Sequence, residues 1–289
     1  TPITSEKEKI DLLFRFIQYV ERQVVLFDAL EDAAFKEVND IGGVGTLKHL
    51  ESEIIQKGRE KDFAEKLKDF SVRIVLTAHP TQFYPGSVLG IINDLSKALV
   101  DNNAAQINMY LQQLGKTAFL NKQKPTPYDE AVSLIWYLEN VFYHAAGRII
   151  SFINNQFPQS IPPDNPIIVM GFWPGGDRDG NPNVTVDTTV KVAAALRESI
   201  IKCYYVDVRR LKRRLTFKGV DTILADLEKQ LYSNLFIPGH RTNLTKKGIL
   251  DALYEIQNIV IYQHNSLFQH LVDNLISKVH VFGLHFAST

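Results

Sequence analysis

Val72-Arg73-Ile74-Val75-Leu76-Thr77-Ala78-His79-Pro80 is the first stretch of this 289-residue chain in which the spacing of apolar residues stops being helical. Val72 to Thr77 is β-branched and apolar, and it runs into a histidine followed by proline. Proline cannot donate to a strand ladder, so the run reads as a buried strand that ends in a loop. A second such run, Ile167 to Phe172, leads directly into Trp173-Pro174-Gly175-Gly176-Asp177-Arg178-Asp179-Gly180-Asn181-Pro182. A third, Val279 to Ala287, reads as a strand near the end of the sequence.

Everything between these runs has helical patterning. Ser5 with Glu8 makes a capping box, and Ile10, Leu13, Ile17, Val20, Val24 and Phe27 then recur every three or four residues as one apolar face. Gly42, Gly43 and Gly45 interrupt it. A helical pair is expected over 46–70, with Leu47, Leu50, Ile54, Phe63 and Leu67 buried. Further helices are expected over 87–102 and 105–119, and a long one over 128–155 with Leu134, Tyr137, Leu138, Val141 and Ile149 facing inward. Asp187 reads as the cap of a helix ending near Leu215, and three more follow over 220–234, 245–266 and 268–277. Strands isolated by long helical excursions must pair with one another, and parallel strands joined by helices are the economical solution. The fold class expected is mainly α with a few parallel strands, an incomplete (β/α) TIM-type barrel with long helical insertions. A purely helical bundle is the rival.

Composition narrows the function classes. The 32 basic and 32 acidic side chains cancel, so no global field favours a polyanion, and no nucleic-acid partner is expected. Cys203 is the single cysteine, which excludes an internal disulfide framework and fits a reducing, cytoplasmic setting. No apolar run is long enough to span a bilayer and no signal-peptide pattern opens the chain, so no membrane association is expected. The first residue is Thr1, so further sequence upstream is expected.

Two loops hold the residue types that do chemistry. His79 follows a strand directly and is clamped by Pro80, which fixes its own backbone angle and restricts its neighbour. An imidazole held so can transfer a proton or donate to an anion; a structural histidine at a strand end is the alternative. In the second loop the glycines, Gly175 and Gly176 among them, permit close approach of a ligand. Arg178 between Asp177 and Asp179 is expected to be held as a rigid donor for phosphate or carboxylate. Asn181-Pro182 turns the chain, and Trp173 could exclude water. A tight turn closed by its own salt bridges is the competing account. The glycine spacing matches neither a dinucleotide fingerprint nor a P-loop.

Other features carry less. Arg209, Arg210, Lys212, Arg213 and Arg214 form a basic run late in a helix, where cations complement the helix dipole; an effector-anion site is the rarer reading. His264 and His270 do not share a helical face, His280 and His285 would face opposite sides of a strand, and no Cys/His set has zinc spacing. No metal is expected to be held by this chain alone.

Together the motifs resemble phosphoenolpyruvate carboxylases. Val75-Leu76-Thr77-Ala78-His79-Pro80-Thr81-Gln82 and Gly175 to Thr185 look like two of that family's signature stretches. Lys124-Pro125-Thr126-Pro127 with Asp129-Glu130-Ala131 is similar to a third, and Phe27-Asp28-Ala29-Leu30 to a fourth. The resemblance implies formation of oxaloacetate and phosphate from phosphoenolpyruvate and bicarbonate, through carboxyphosphate and enolate. It implies that His79 is catalytic, taking the carboxyphosphate proton, and that Trp173, Gly175, Gly176, Arg178, Asp179 and Asn181 line the substrate side. It also implies Mg2+ (or Mn2+), with ligands outside this segment, and a homotetramer. Members of the family are much longer. Residues 1–289 are therefore expected to be a single amino-terminal portion, inactive alone, with the carboxyl-terminal barrel portion absent. Phe83-Tyr84-Pro85-Gly86 stands where many members carry an Arg-Arg pair, and Gly115, Ala118 and Phe119 where a tryptophan and acidic pair are usual, so the chain resembles a divergent, bacterial-looking member. A non-catalytic helical scaffold or anion-binding module that retains the motifs is the alternative.

Overall fold

The computed structural model describes residues 5–77, 84–119, 125–158, 160–162, 167–179, 181–237 and 243–288. Eleven α-helices and two strands are formed among them. In chain order these are α1 (Glu6–Val38), α2 (Leu47–Lys57), α3 (Glu60–Asp69), β1 (Val72–Leu76), α4 (Gly86–Val100), α5 (Ala104–Lys116) and α6 (Pro127–Tyr137). There follow α7 (Tyr143–Gln156), β2 (Ile168–Phe172), α8 (Val186–Lys212), α9 (Val220–Phe236), α10 (Lys246–Gln263) and α11 (Gln269–Phe282). The chain is mainly helical, and the two strands are parallel. It divides into two compact units, residues 1–53 with 79–124, and residues 54–78 with 125–289.

In the first unit, the expected capping box forms. Ser5 Oγ accepts from Glu8 N at 3.2 Å, and Glu8 Oε2 accepts from Ser5 N at 3.2 Å. Val25 and Ala29 of α1 pack with Val88, Ile91, Ile92 and Leu95 of α4 and Leu114 of α5. Arg22 ties α1 to the end of α5 by donating to Leu114 O (3.2 Å) and Gly115 O (3.1 Å), and its guanidinium lies 5.1 Å from the Phe119 ring centre. The expected apolar face of α1 is not buried: Ile10, Leu13, Ile17, Val20, Val24 and Phe27 are all exposed. The stripe that packs is offset from it and runs through Val25 and Ala29.

The second unit contains the larger core. Tyr143, Tyr204, Phe172 and Phe286 are its largest fully buried side chains. The single long helix expected over 128–155 is interrupted by a π-helical turn at Leu138–Phe142. Buried positions run Ala131, Ile135, Leu138 and then Tyr143, Ala146, Ile150 and Ile153. The step of five between Leu138 and Tyr143 is the extra residue of the π-turn, and it swings the inward face by one position. Tyr137 and Val141, expected inside, are therefore exposed.

β1 pairs with β2 in parallel, Val72 opposite Ile168 through Leu76 opposite Phe172. β2 is largely buried, whereas β1 lies half open with Val72 and Val75 exposed, so β1 is not the buried strand expected of it. The third strand expected over 279–287 is corrected by the structure. Val272, Leu275, Ile276, Val279 and Phe282 form one buried stripe at three- and four-residue spacing, so packing extends α11 to Phe282. Only Ser288 behaves as strand: it bridges Gly171 in parallel, donating to Met170 O (3.0 Å) and accepting from Phe172 N (2.9 Å). Among the described residues this gives two strands and one bridge.

Candidate functional site

Two loops leave the same end of the parallel pair. Trp173 N donates to Leu76 O at 2.9 Å, the last rung of the ladder, so Thr77 and Trp173 begin their loops side by side. Parallel strands put such loops at their carboxyl ends, where α/β proteins build sites. Ala78 to Phe83 lie outside the described residues, and His79 with them; so does Gly180.

The second loop is built almost entirely from its own backbone and short side chains. Gly176 N and Asp177 N both donate to Trp173 O, at 2.9 and 3.0 Å. Gly175 takes a φ of +75°, and a Cβ there would stand 2.5 Å from Val192 Cγ2, so only glycine fits both the turn and the packing. Asp177 Oδ1 accepts from Asp179 N (3.1 Å) and Asn181 Oδ1 from Asn183 N (3.1 Å), two successive Asx turns. These turns deliver the chain to α8. Thr185, not Asp187, is the cap of that helix: its Oγ1 accepts from Thr188 N at 3.3 Å, while Asp187 sits in the first turn beside the positive end of the dipole.

Arg178 is not clamped by its flanking carboxylates, as the sequence suggested. Its Nη2 donates to Thr189 Oγ1 at 3.2 Å, and Thr189 Oγ1 donates to Gly175 O at 2.7 Å. Side chains of sequence neighbours point apart in an open turn, and Asp177 is already engaged with the backbone. A threonine one turn into α8 therefore holds the guanidinium. The arginine side chain is exposed. Trp173, 56% exposed, stands beside the loop, while Pro174 and Gly175 are buried and Asp177, Asp179 and Asn181 exposed. With two aspartates flanking one arginine, the loop carries no net positive charge. Sequence reasoning missed Thr189; its signal was the Thr185-x-x-Thr188-Thr189 spacing at a helix start.

Among the described residues no group of three His, Cys, Asp or Glu side chains comes together in a way that could hold a metal ion. Likewise no described helix is long and apolar enough to cross a membrane.

The described residues thus define a mainly helical protein with a pair of parallel strands and an arginine-bearing glycine loop at their carboxyl end. The family model for phosphoenolpyruvate carboxylase matches residues 12–238. A phosphoenolpyruvate carboxylase of Shewanella oneidensis is 26% identical over 263 residues, covering 76% of this chain and 30% of the relative. That of Pisum sativum is 28% identical over 220 residues, covering 69% and 23%. That of Phaseolus vulgaris is 31% identical over 188 residues, covering 59% and 19%. This chain belongs to the phosphoenolpyruvate carboxylase family, and its matches span under a third of these three relatives' length.

Proposed function

We propose that this chain supplies one side of the active site of a phosphoenolpyruvate carboxylase, as the amino-terminal portion of a longer (β/α) barrel enzyme. The observation that carries this reading is the hydrogen bond from Trp173 N to Leu76 O, in a chain of this family. It sets Thr77 and Trp173 side by side at adjacent strand ends.

In this reading an oxygen of bicarbonate attacks the phosphorus of phosphoenolpyruvate. The P–O bond to the enolate breaks, giving carboxyphosphate and the enolate of pyruvate. His79 takes the carboxyphosphate proton, which lets the C–O bond to phosphate break and frees carbon dioxide; the enolate carbon then attacks carbon dioxide to form oxaloacetate. Such a base needs a pKa near neutrality, as imidazole has. Arg178, steadied by Thr189, directs its donors at the charge that builds on the transferring oxygens. Gly175 and Gly176 let the backbone approach, Asp179 and Asn181 complete the polar wall, and Trp173 limits water. In this reading the Mg2+ or Mn2+ has its ligands outside this segment, and no step here runs through it. A cytoplasmic homotetramer is the assembly this reading takes over from the family.

The test is an oxaloacetate-coupled assay with phosphoenolpyruvate, bicarbonate and magnesium. In the complete enzyme Arg178→Gln is expected to lower kcat/KM for bicarbonate about 100-fold, and Thr189→Val to lower it less. Residues 1–289 alone are expected to give no oxaloacetate. An Arg178→Gln enzyme as active as the parent would remove the loop from the site, and turnover by the isolated chain would refute the incomplete site.

A further inference from the structure

At the opposite end of α8 from the glycine loop, about 35 Å along the helix by its rise per residue, a second polar cluster faces a cleft of about 480 Å³. Asp207, Arg210, Arg213 and Arg214 reach it from the last turns of α8 and the residues just beyond, and Lys278 from α11. Lys278 is almost wholly buried. Its Nζ lies 2.8 Å from Asp207 Oδ2 and 4.3 Å from the centre of the Tyr143 ring. Asp207 Oδ2 also accepts from Tyr143 Oη at 2.8 Å, and Oδ1 from Arg210 Nη1 at 3.3 Å. One carboxylate thus serves two cations and a phenol. Arg213 and Arg214, both exposed, have no side-chain hydrogen bond or ion pair among the described residues.

Four cations therefore meet one carboxylate across this cleft. A helix C-terminus attracts cations, which accounts for basic residues in the last turn of α8. It accounts neither for Lys278, which comes from another helix, nor for the convergence of all four on one hollow. The same charges bear on His144, whose pKa is pushed below the ordinary histidine value, first by burial and then by Lys278, with Arg210 and Arg148 adding to it against the pull of Asp207. Leu211, Leu271 and Leu275 give the same cleft an apolar wall.

We infer that this cleft binds a small organic phosphate. The dianion sits between the planar forks of Arg213 and Arg214, which match phosphate oxygens in pairs, and the carbon portion lies on the leucines. The compensated Lys278–Asp207 pair forms a fixed floor. The volume suits a ligand of that size. The site is separate from the glycine loop and stands whether or not the carboxylase reading holds.

Calorimetric titration of the 289-residue chain with phenyl phosphate, inorganic phosphate and phenol tests it. Phenyl phosphate is expected to saturate one site and to bind several-fold more tightly than inorganic phosphate, with no binding of phenol. The double variant Arg213→Gln/Arg214→Gln should weaken phenyl phosphate at least ten-fold, while Lys229→Gln on α9 should change nothing. In parallel, the NMR titration of His144 should move upward in saturating sulfate, an anion that does not itself titrate in this range, because the charge of Lys278, Arg210 and Arg148 is then offset. Absence of saturation, equal affinity for both phosphates (an adventitious ion only), a double variant that binds like the parent, or an unmoved His144 would each overturn the assignment.

Discussion

Gly175 is where one missing methyl group decides a loop. Its left-handed φ and the nearness of Val192 Cγ2 act together, so Gly175→Ala combines backbone strain with a clash against a buried side chain. Urea unfolding is expected to show a loss of about 2–4 kcal/mol; a loss under about 0.5 kcal/mol would mean that the turn adapts freely. Two histidines set a pH dependence of known sign. Burial lowers the pKa of His144, with Lys278 next, and burial lowers that of His285, with Arg197 next. The unfolded chain then takes up protons at higher pH than the folded one. Stability is complete above the unfolded value of about 6.5 and falls as pH drops through the folded values. Melting temperatures measured from about pH 7.5 to about pH 5.5 should decline, and His144→Gln with His285→Gln should flatten the decline. A steeper decline in the double variant would reverse the sign. At this scale the sequence marked 173–182 as a turn, because glycine at positive φ and aspartate and asparagine in Asx turns are the residues such a turn needs. It hid Thr189 and the Lys278–Asp207–Tyr143 cluster, whose members lie 64 and 71 residues apart and meet only through packing.

Among the elements, period was readable wherever a helix or strand had one dominant face. Both described strands and most helices fall within a few residues of expectation, and the caps at Ser5, Thr126 and Thr245 form as their side chains dictate. The third strand was misplaced because a short apolar run satisfies two periods at once. Val279-His280-Val281-Phe282 alternates like a strand, yet Val279 and Phe282 also continue the stripe of Val272, Leu275 and Ile276. The core adjoining α11 selects the helix, and Gly283 at φ +55° ends it. The π-turn left no mark in the sequence because its cause is tertiary: it brings Tyr143, instead of Phe142, to Asp207. Deleting Asn140, an exposed residue within that turn, shortens the step from Leu138 to Tyr143 to four, and plain α-helical spacing then keeps both on the buried face. The expected outcome is retained cooperative unfolding by near-ultraviolet circular dichroism; loss of the cooperative transition would show that the π-turn itself is required.

For the molecule as a whole, the two compact units have unequal cores. The first buries Val25, Ala29 and a handful of residues from α4 and α5, while much of α1 stays exposed; the second packs dozens of side chains around α8, α10 and α11. Hydrogen exchange should therefore release the amides of residues 6–20 well before those of 192–211, since local opening follows burial. Equal protection of the two segments would contradict the partition. What the sequence could not convey at this scale is the size of the sheet, which among the described residues is two parallel strands and a bridge at Ser288. The proposed chemistry makes its own demand on the loops at those strand ends. In the complete carboxylase carrying His79→Ala, with bicarbonate labelled by oxygen-18, the account predicts that phosphate is still released bearing label while oxaloacetate falls by about 100-fold or more. Oxaloacetate formed at the parent rate, or phosphate released without label, would contradict it.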